Sequence, residues 1–245
     1  MTPWSVLLRI EILKATDTRA ARGLFATIAL LGVGTVTLSQ TSDTSLETFV
    51  GGVALPLTAL LPVVAVLAVT GDWTGRSALA TFTQTPRRLL VLTARVVAVV
   101  ALVLGVALVT AAGAALAFVV LHPDRLAATD WSAVTTAAGG VVALAVAAAL
   151  TGTAVGSLLL NTPLAIVVTM LLPITYDVAA ALLVPTVAPW ISTLAFSAWL
   201  AHPHLTWGEG PGDVPGTGQA LTSLVMWVVL PLGLGWWRQL RRDVA

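Results

Sequence analysis

TARVVAVVALVLGVALVTAAGAALAFVVL, residues 93–121, is built almost wholly of Ala, Val and Leu. A helix needs about 20 largely apolar residues to cross a bilayer core. In lipid only helices and closed barrels satisfy every backbone polar group. A barrel would show alternating segments of about ten residues, and this run does not alternate. It reads as a membrane-crossing helix. The whole chain agrees: of 245 residues, 58% are hydrophobic and 9% charged, against about 25% charged in a soluble domain. The 12 basic and 11 acidic residues cannot coat a soluble protein of this size. An ordinary cytosolic enzyme, a disordered chain and a nucleic-acid binder are excluded, the last because it needs clustered basic surface. With no cysteine, a disulfide framework, an iron–sulfur cluster and thiol chemistry are excluded as well.

Outward from residues 93–121, five more stretches qualify or nearly so: 23–40, 48–70, 133–160, 163–185 and 219–237. The first is short and weakened by Gly32 and Gly34, and the long ones have room to tilt. A further apolar stretch, 187–201, is too short for a span and reads as a re-entrant or surface-lying segment. The charged N-terminal residues form no signal-peptide pattern. The expected fold is all-α integral membrane, a six-helix transmembrane bundle within a single domain, 1–245. It has an N-terminal interfacial segment (1–22), a cytoplasmic loop (71–92) and an extracellular re-entrant segment and loop (186–218).

Basic residues orient such a bundle. Eleven of the twelve fall before the first span, between the second and third, or after the sixth; only Arg125 lies in the opposite loops. Both termini are therefore expected on the cytoplasmic side. Seven of the nine tryptophans sit at span ends or in loops, as interfacial residues do. Trp227, inside the last span, reads as packing.

The most informative loop is GDWTGRSALATFTQTPRRLLVLTAR, residues 71–95. Asp72 is placed to cap a helix starting at Trp73, and Pro86 to limit it. Gly75, Leu79 and Phe82 share one face, and Arg87 and Arg88 follow at the membrane boundary. Such a helix suits docking into a groove on a soluble partner; a plain solvated connector is the other reading. DWTGRSALATFTQTPRR resembles the first cytoplasmic loop of type-2 ABC transporter permeases, especially their actinobacterial branch. The stretch LTSLVMWVVLPLGLGWWRQLRRDV, residues 221–244, resembles that branch's last span and basic tail. FSAWL, residues 196–200, sits where these permeases carry outer-leaflet helices. The sequence departs from the pattern in having Asp72 where Glu is commoner.

The resemblance implies a transport subunit, not itself an enzyme, in a bacterial cell membrane. It would dimerise with itself or a related permease and couple to a separate ABC ATPase that binds ATP and Mg. Residues 73–83 would be the coupling helix, with Asp72, Trp73, Arg76, Leu79, Phe82, Pro86, Arg87 and Arg88 at the ATPase contact. The chain supplies no phosphate-binding loop, since its one lysine, Lys14, follows Leu13. It is expected to hold no cofactor and to have membrane lipids, not nucleic acid, as other partners. Expected cargo is hydrophobic or amphipathic: a drug, a peptide antibiotic or a lipid moved outward. Two alternatives stay open. A secondary carrier would show repeated, polar-broken spans, and none are seen; a membrane anchor would use 71–95 as a connector only.

Individual residues suggest chemistry less strongly. Asp177, beside the single tyrosine, Tyr176, falls within the fifth stretch. It reads as a cavity or substrate contact, or as headgroup-level if the helix breaks early after Pro173. Pro56 and Pro62 are candidates to bend a path-lining helix. His202 and His204 with Glu209 and Asp213 read as solvated turn residues, and no metal site is expected. Gly152 and Gly156 form a GxxxG that permits close helix approach, although in so Ala-rich a helix the motif carries little weight. Trp4, Leu8, Ile12 and Ala15 form a stripe, but apolar residues lie on both sides of this N-terminal helix. It is expected to pack against the bundle or a partner rather than only lie on lipid. Motifs for a protease or lipid hydrolase are absent.

Overall fold

A computed structural model describes residues 4–38, 45–75, 88–202 and 214–241. Among the described residues every regular element is helical. In chain order these are α1 (Trp4–Thr16), α2 (Arg19–Leu38), α3 (Leu46–Gly52), α4 (Ala54–Thr74) and α5 (Arg88–Leu121). After a 3-10 turn at Pro123–Ala128 come α6 (Trp131–Leu159), α7 (Thr162–Leu183), α8 (Ala188–Ile191), α9 (Ala195–Ala201) and α10 (Thr217–Arg241). Among the described residues, five helical units are long and apolar enough to cross a membrane: Leu46–Thr74, Arg88–Leu121, Trp131–Leu159, Thr162–Leu183 and Thr217–Arg241. The stretch expected as the first span forms α2, whose 20 residues open with Arg19 and Arg22, and it is not among those five. The short apolar stretch 187–201 forms α8 and α9 rather than one helix.

Local chemistry places the helix ends. Ser45 accepts from the Thr48 N–H at the start of α3, and Asn161 from the Leu164 N–H at the start of α7, at 3.0 Å. Between α6 and α7 the chain reverses through Leu160, held at φ 53° in the left-handed region. Asp130 caps α6 by accepting from the Ser132 hydroxyl at 2.7 Å and from the Ser132 and Ala133 N–H groups. The Ser132 hydroxyl above all, helped by those two N–H groups, holds the Asp130 carboxyl below its usual value.

α6 is the centre of the bundle. Its residues are buried on all sides, and it packs against α3, α4, α5, α7, α9 and α10. Small side chains make this possible, because helices in lipid associate through close packing rather than through expulsion of water. The GxxxG is used here. A Cβ on Gly152 would lie 2.3 Å from the Pro62 carbonyl oxygen and 2.7 Å from the Ala65 Cβ, so α4 and α6 touch backbone to side chain. Gly156 is looser, with its nearest α4 atoms at 3.4–3.5 Å. Gly235 of α10 makes a second tight crossing, its would-be Cβ 2.4 Å from the Ser157 carbonyl oxygen. At the end of the bundle where α5 finishes, Phe49 and Phe118 meet edge to face at 5.3 Å, with His122 against both rings.

α7 is the least enclosed of the five spans and α4 the most. Leu182 and Leu183 of α7 are about four-fifths exposed, which suits a lipid-facing surface and no aqueous one.

Candidate functional site

Four ionisable side chains meet at the end of the bundle where α4 finishes and α5 begins. α1 lays Leu7 and Glu11 against the bundle. Glu11 therefore enters on the same face as an apolar contact, and it is 7% exposed. Arg95, 4% exposed, comes from the second turn of α5. Its Nε donates to Glu11 Oε2 at 2.9 Å, its Nη2 donates to Asp72 Oδ2, and its Nη1 reaches the Val69 carbonyl at 3.4 Å. Lys14 closes the group, its Nζ donating to Glu11 Oε1 at 3.2 Å and to Asp72 Oδ2 at 3.4 Å. Among the described residues two cations face two carboxylates. Burying these charges is tolerable only because each is paired and hydrogen-bonded. The result is a rigid tie from α1 to the end of α4 and the start of α5.

This differs from the expected role of Asp72. The apolar helix does not stop before it: α4 runs through Asp72 and Trp73 to Thr74. Asp72 is thus no N-cap, because its carboxylate is held by Arg95 within the last turn. Arg88, expected at the membrane boundary, opens α5 and donates from Nη1 to the Gln239 and Leu240 carbonyls at 3.2 Å. It thereby caps the C-terminal turn of α10. Arg76, Leu79, Phe82, Pro86 and Arg87 lie outside the described residues.

Neighbouring helix ends at this level are closed in the same manner. Arg238 donates to the Leu158 carbonyl at 2.7 Å and Gln239 Nε2 to the Ser157 carbonyl at 3.3 Å, satisfying the end of α6. Thr70 and Thr74 both meet the Thr162 hydroxyl, at 2.7 and 2.6 Å, which joins α4 to α7. Lys14, Arg88, Arg95, Arg238 and Arg241 all belong to this end, with Arg125 at the other, so the charge asymmetry of the sequence is also an asymmetry in space.

A second region lies deeper. A cavity of about 560 Å³ opens between α4, α6, α7, α9 and α10. Pro62 is in its wall; Pro56 is buried in the core instead. Asp177 and Tyr176 make other contacts. α7 continues past Pro173 and Asp177 to Leu183, so the helix does not break early. The Asp177 carboxylate accepts from the Ser192 hydroxyl at 3.0 Å and from the Thr193 N–H and hydroxyl at 2.9 Å. It therefore anchors the link between α8 and α9. Tyr176 packs edge-on to Trp227 at 5.0 Å.

α10 grips the same segment from its other side. Thr222 donates to the Trp190 carbonyl at 2.8 Å, and Trp227 Nε1 donates to the Ile191 carbonyl at 3.0 Å. A π-helical turn at Val225–Val229 carries Trp227. Pro231, four residues on, has no N–H for the Trp227 carbonyl, which explains why the α-helical ladder loosens there. Irregular backbone at membrane depth must have its polar groups satisfied by protein, and these side chains do so for 190–194. Asp177→Ala is expected to cost about 1.5–3 kcal/mol, the range for hydrogen bonds to a charged group. Faster hydrogen exchange confined to 185–194 would register it; unchanged exchange there would refute the anchoring role.

His202 follows α9, while His204, Glu209 and Asp213 lie outside the described residues. Among the described residues no three His, Cys, Asp or Glu side chains cluster as a metal site would require.

Glu11 and Arg95 are the functional candidates that sequence reasoning passed over. The signals were present: an acid on the face that α1 buries, and an arginine inside an apolar run. Neither identifies its partner, because Glu11 and Arg95 are 84 positions apart. No protein-family model and no curated protein matches the chain.

Proposed function

We propose that this chain is the membrane permease subunit of an ATP-driven exporter of the type-2 ABC class. It works as a dimer with α2 as a sixth span and both termini cytoplasmic, and moves a hydrophobic or amphipathic cargo outward. The observation that carries the reading is the Glu11–Arg95–Asp72–Lys14 cluster. It braces the two helices that flank 76–87, the segment whose sequence resembles a coupling helix. A push on that segment by a partner ATPase would reach α4 and α5 as a unit, along with α1 and, through Arg88, α10. A mere connector needs no such bracing. The segment α8–α9 fits the place of the outer helices in this class.

Co-purification tests this. The full chain, solubilised in detergent from membranes of its own host, is expected to bring down an ATPase with a phosphate-binding loop. Deleting 76–83 is expected to release that ATPase while the chain still elutes as a folded species. Absence of any ATPase, or partners unchanged by the deletion, overturns the reading in favour of a membrane anchor.

A further inference from the structure

We propose that the cavity between α4, α6, α7, α9 and α10 is a binding site for one neutral amphiphile. The ligand would be largely apolar, with a hydroxyl or amide N–H as its polar group. At about 560 Å³ the cavity is of ligand size, small-molecule sites running about 300–1,000 Å³. Its wall is mainly aliphatic, carries Trp227 as an aromatic plate, and contains, among the described residues, no Asp, Glu, Lys, Arg or His. A charged ligand would find no counter-ion there, and its desolvation would go uncompensated.

Three of the wall's hydroxyls set the character of the ligand's polar end. Thr151 gives its O–H to the Ala147 carbonyl at 2.9 Å, Ser197 to the Leu194 carbonyl at 2.9 Å, and Thr193 to Asp177. Each hydroxyl has spent its one proton and retains only acceptor capacity. Thr169, 9% exposed, has a buried hydroxyl with no hydrogen-bond partner among the described residues. Its carbonyl also lacks the usual helical donor, since Pro173 stands four residues on. Unlike the other three, the Thr169 hydroxyl keeps its proton and can donate or accept. A site rich in acceptors and free of charge selects a neutral hydrogen-bond donor. Only the step that makes this molecule the exporter's cargo rests on the function proposed above; binding itself does not.

The test is photolabelling of the purified full chain in phosphatidylglycerol/phosphatidylethanolamine nanodiscs, with a long-chain alcohol carrying a diazirine and no ATPase present. Saturable labelling is expected at wall residues such as Met170 and Trp227. Unlabelled alcohol should compete about tenfold better than its methyl ether or the matching fatty-acid anion, because a site built for a donor rejects the analogue lacking it. Ala59→Phe, or Ala198→Phe should the first misfold, fills the mouth and is expected to abolish saturable labelling with the thermal midpoint unchanged. Thr169→Val, which keeps the shape and removes a hydroxyl able to donate or accept, should weaken saturable labelling while leaving the alcohol ahead of its ether. Label spread without saturation over Leu116 and Leu182, equal competition by the ether, or equal competition by added phospholipid would each overturn the site. Those results leave ATPase association intact, and loss of ATPase association leaves the labelling intact, so the two proposals fail separately.

Discussion

Arg95→Met is expected to lower the stability of the folded chain by about 3–5 kcal/mol, the cost of breaking a buried ion pair from one side. The substitution keeps most of the volume and removes the three donors that reach Glu11, Asp72 and the Val69 carbonyl. Glu11 and Asp72 would remain buried without the guanidinium that joins them, and the Lys14 they also meet is 38% exposed. The triple variant Glu11→Met, Asp72→Leu, Arg95→Met is expected to recover most of the loss, since replacing a whole buried cluster by apolar side chains is often neutral. The exposed pair Asp17–Arg22 is the internal control: Arg22→Ala should change stability by about 0–1 kcal/mol. Thermal unfolding in detergent, followed by tryptophan fluorescence, reads all three. An Arg95→Met midpoint equal to that of the parent would show that the cluster does not hold α1, α4 and α5 together. Recovery of stability in the triple variant without recovery of ATPase association would separate the cluster's bracing of the coupling segment from its contribution to folding.

Gly152→Ala is expected, with Gly235→Ala, to be among the most damaging single methyls in the bundle, at about 1–3 kcal/mol or more, as overpacking of a rigid core costs. The new methyl would meet the Pro62 carbonyl oxygen at 2.3 Å and the Ala65 Cβ at 2.7 Å. Neither atom is the end of a flexible side chain, so relief requires α4 and α6 to move apart along their whole contact. Gly156→Ala, one turn later on the same face, meets its neighbours at 3.4–3.5 Å. That is ordinary van der Waals contact, and the change should stay within about 0.5 kcal/mol. Gly105→Ala, with nothing within 4 Å, should be equally mild. The signature is therefore the difference between two glycines of one motif, measured as midpoints in the same detergent. Equal midpoints for Gly152→Ala and Gly156→Ala would show that the helices do not cross at Pro62.

Helical class and the places of the long spans were legible before any coordinates, because lipid imposes a requirement on each residue separately. The caps at Ser45, Asp130 and Asn161 are local as well. Asp72 was legible as important and misread in role. A carboxylate ahead of Trp73 looks like an N-cap when only near neighbours are considered, and Arg95 outcompetes that use across 23 positions. Arg95 itself looked like one more orienting charge, since sorting cations by side says nothing about which of them is buried. Gly152 and Gly235 were hidden by company: among so many alanines and glycines, no local feature marks the ones that meet a backbone carbonyl. Asp177 read as a cavity contact or as a sign of helix breakage; the helix runs on to Leu183, and the carboxylate secures the link between two short helices, which only distant positions brought together could show.

The sequence by itself determined that this is an all-helical membrane chain with its basic residues gathered on one side; the number of helices long and apolar enough to cross, five among the described residues against the six expected, came from the structure. Apolar length and charge add up residue by residue along the chain, so order in sequence suffices to read them. The tertiary structure alone decided which charges cancel, which glycine touches and where a cavity remains. Those are properties of pairs and groups brought together from distant positions, and their energies depend on ångströms of separation that no sum over single residues contains.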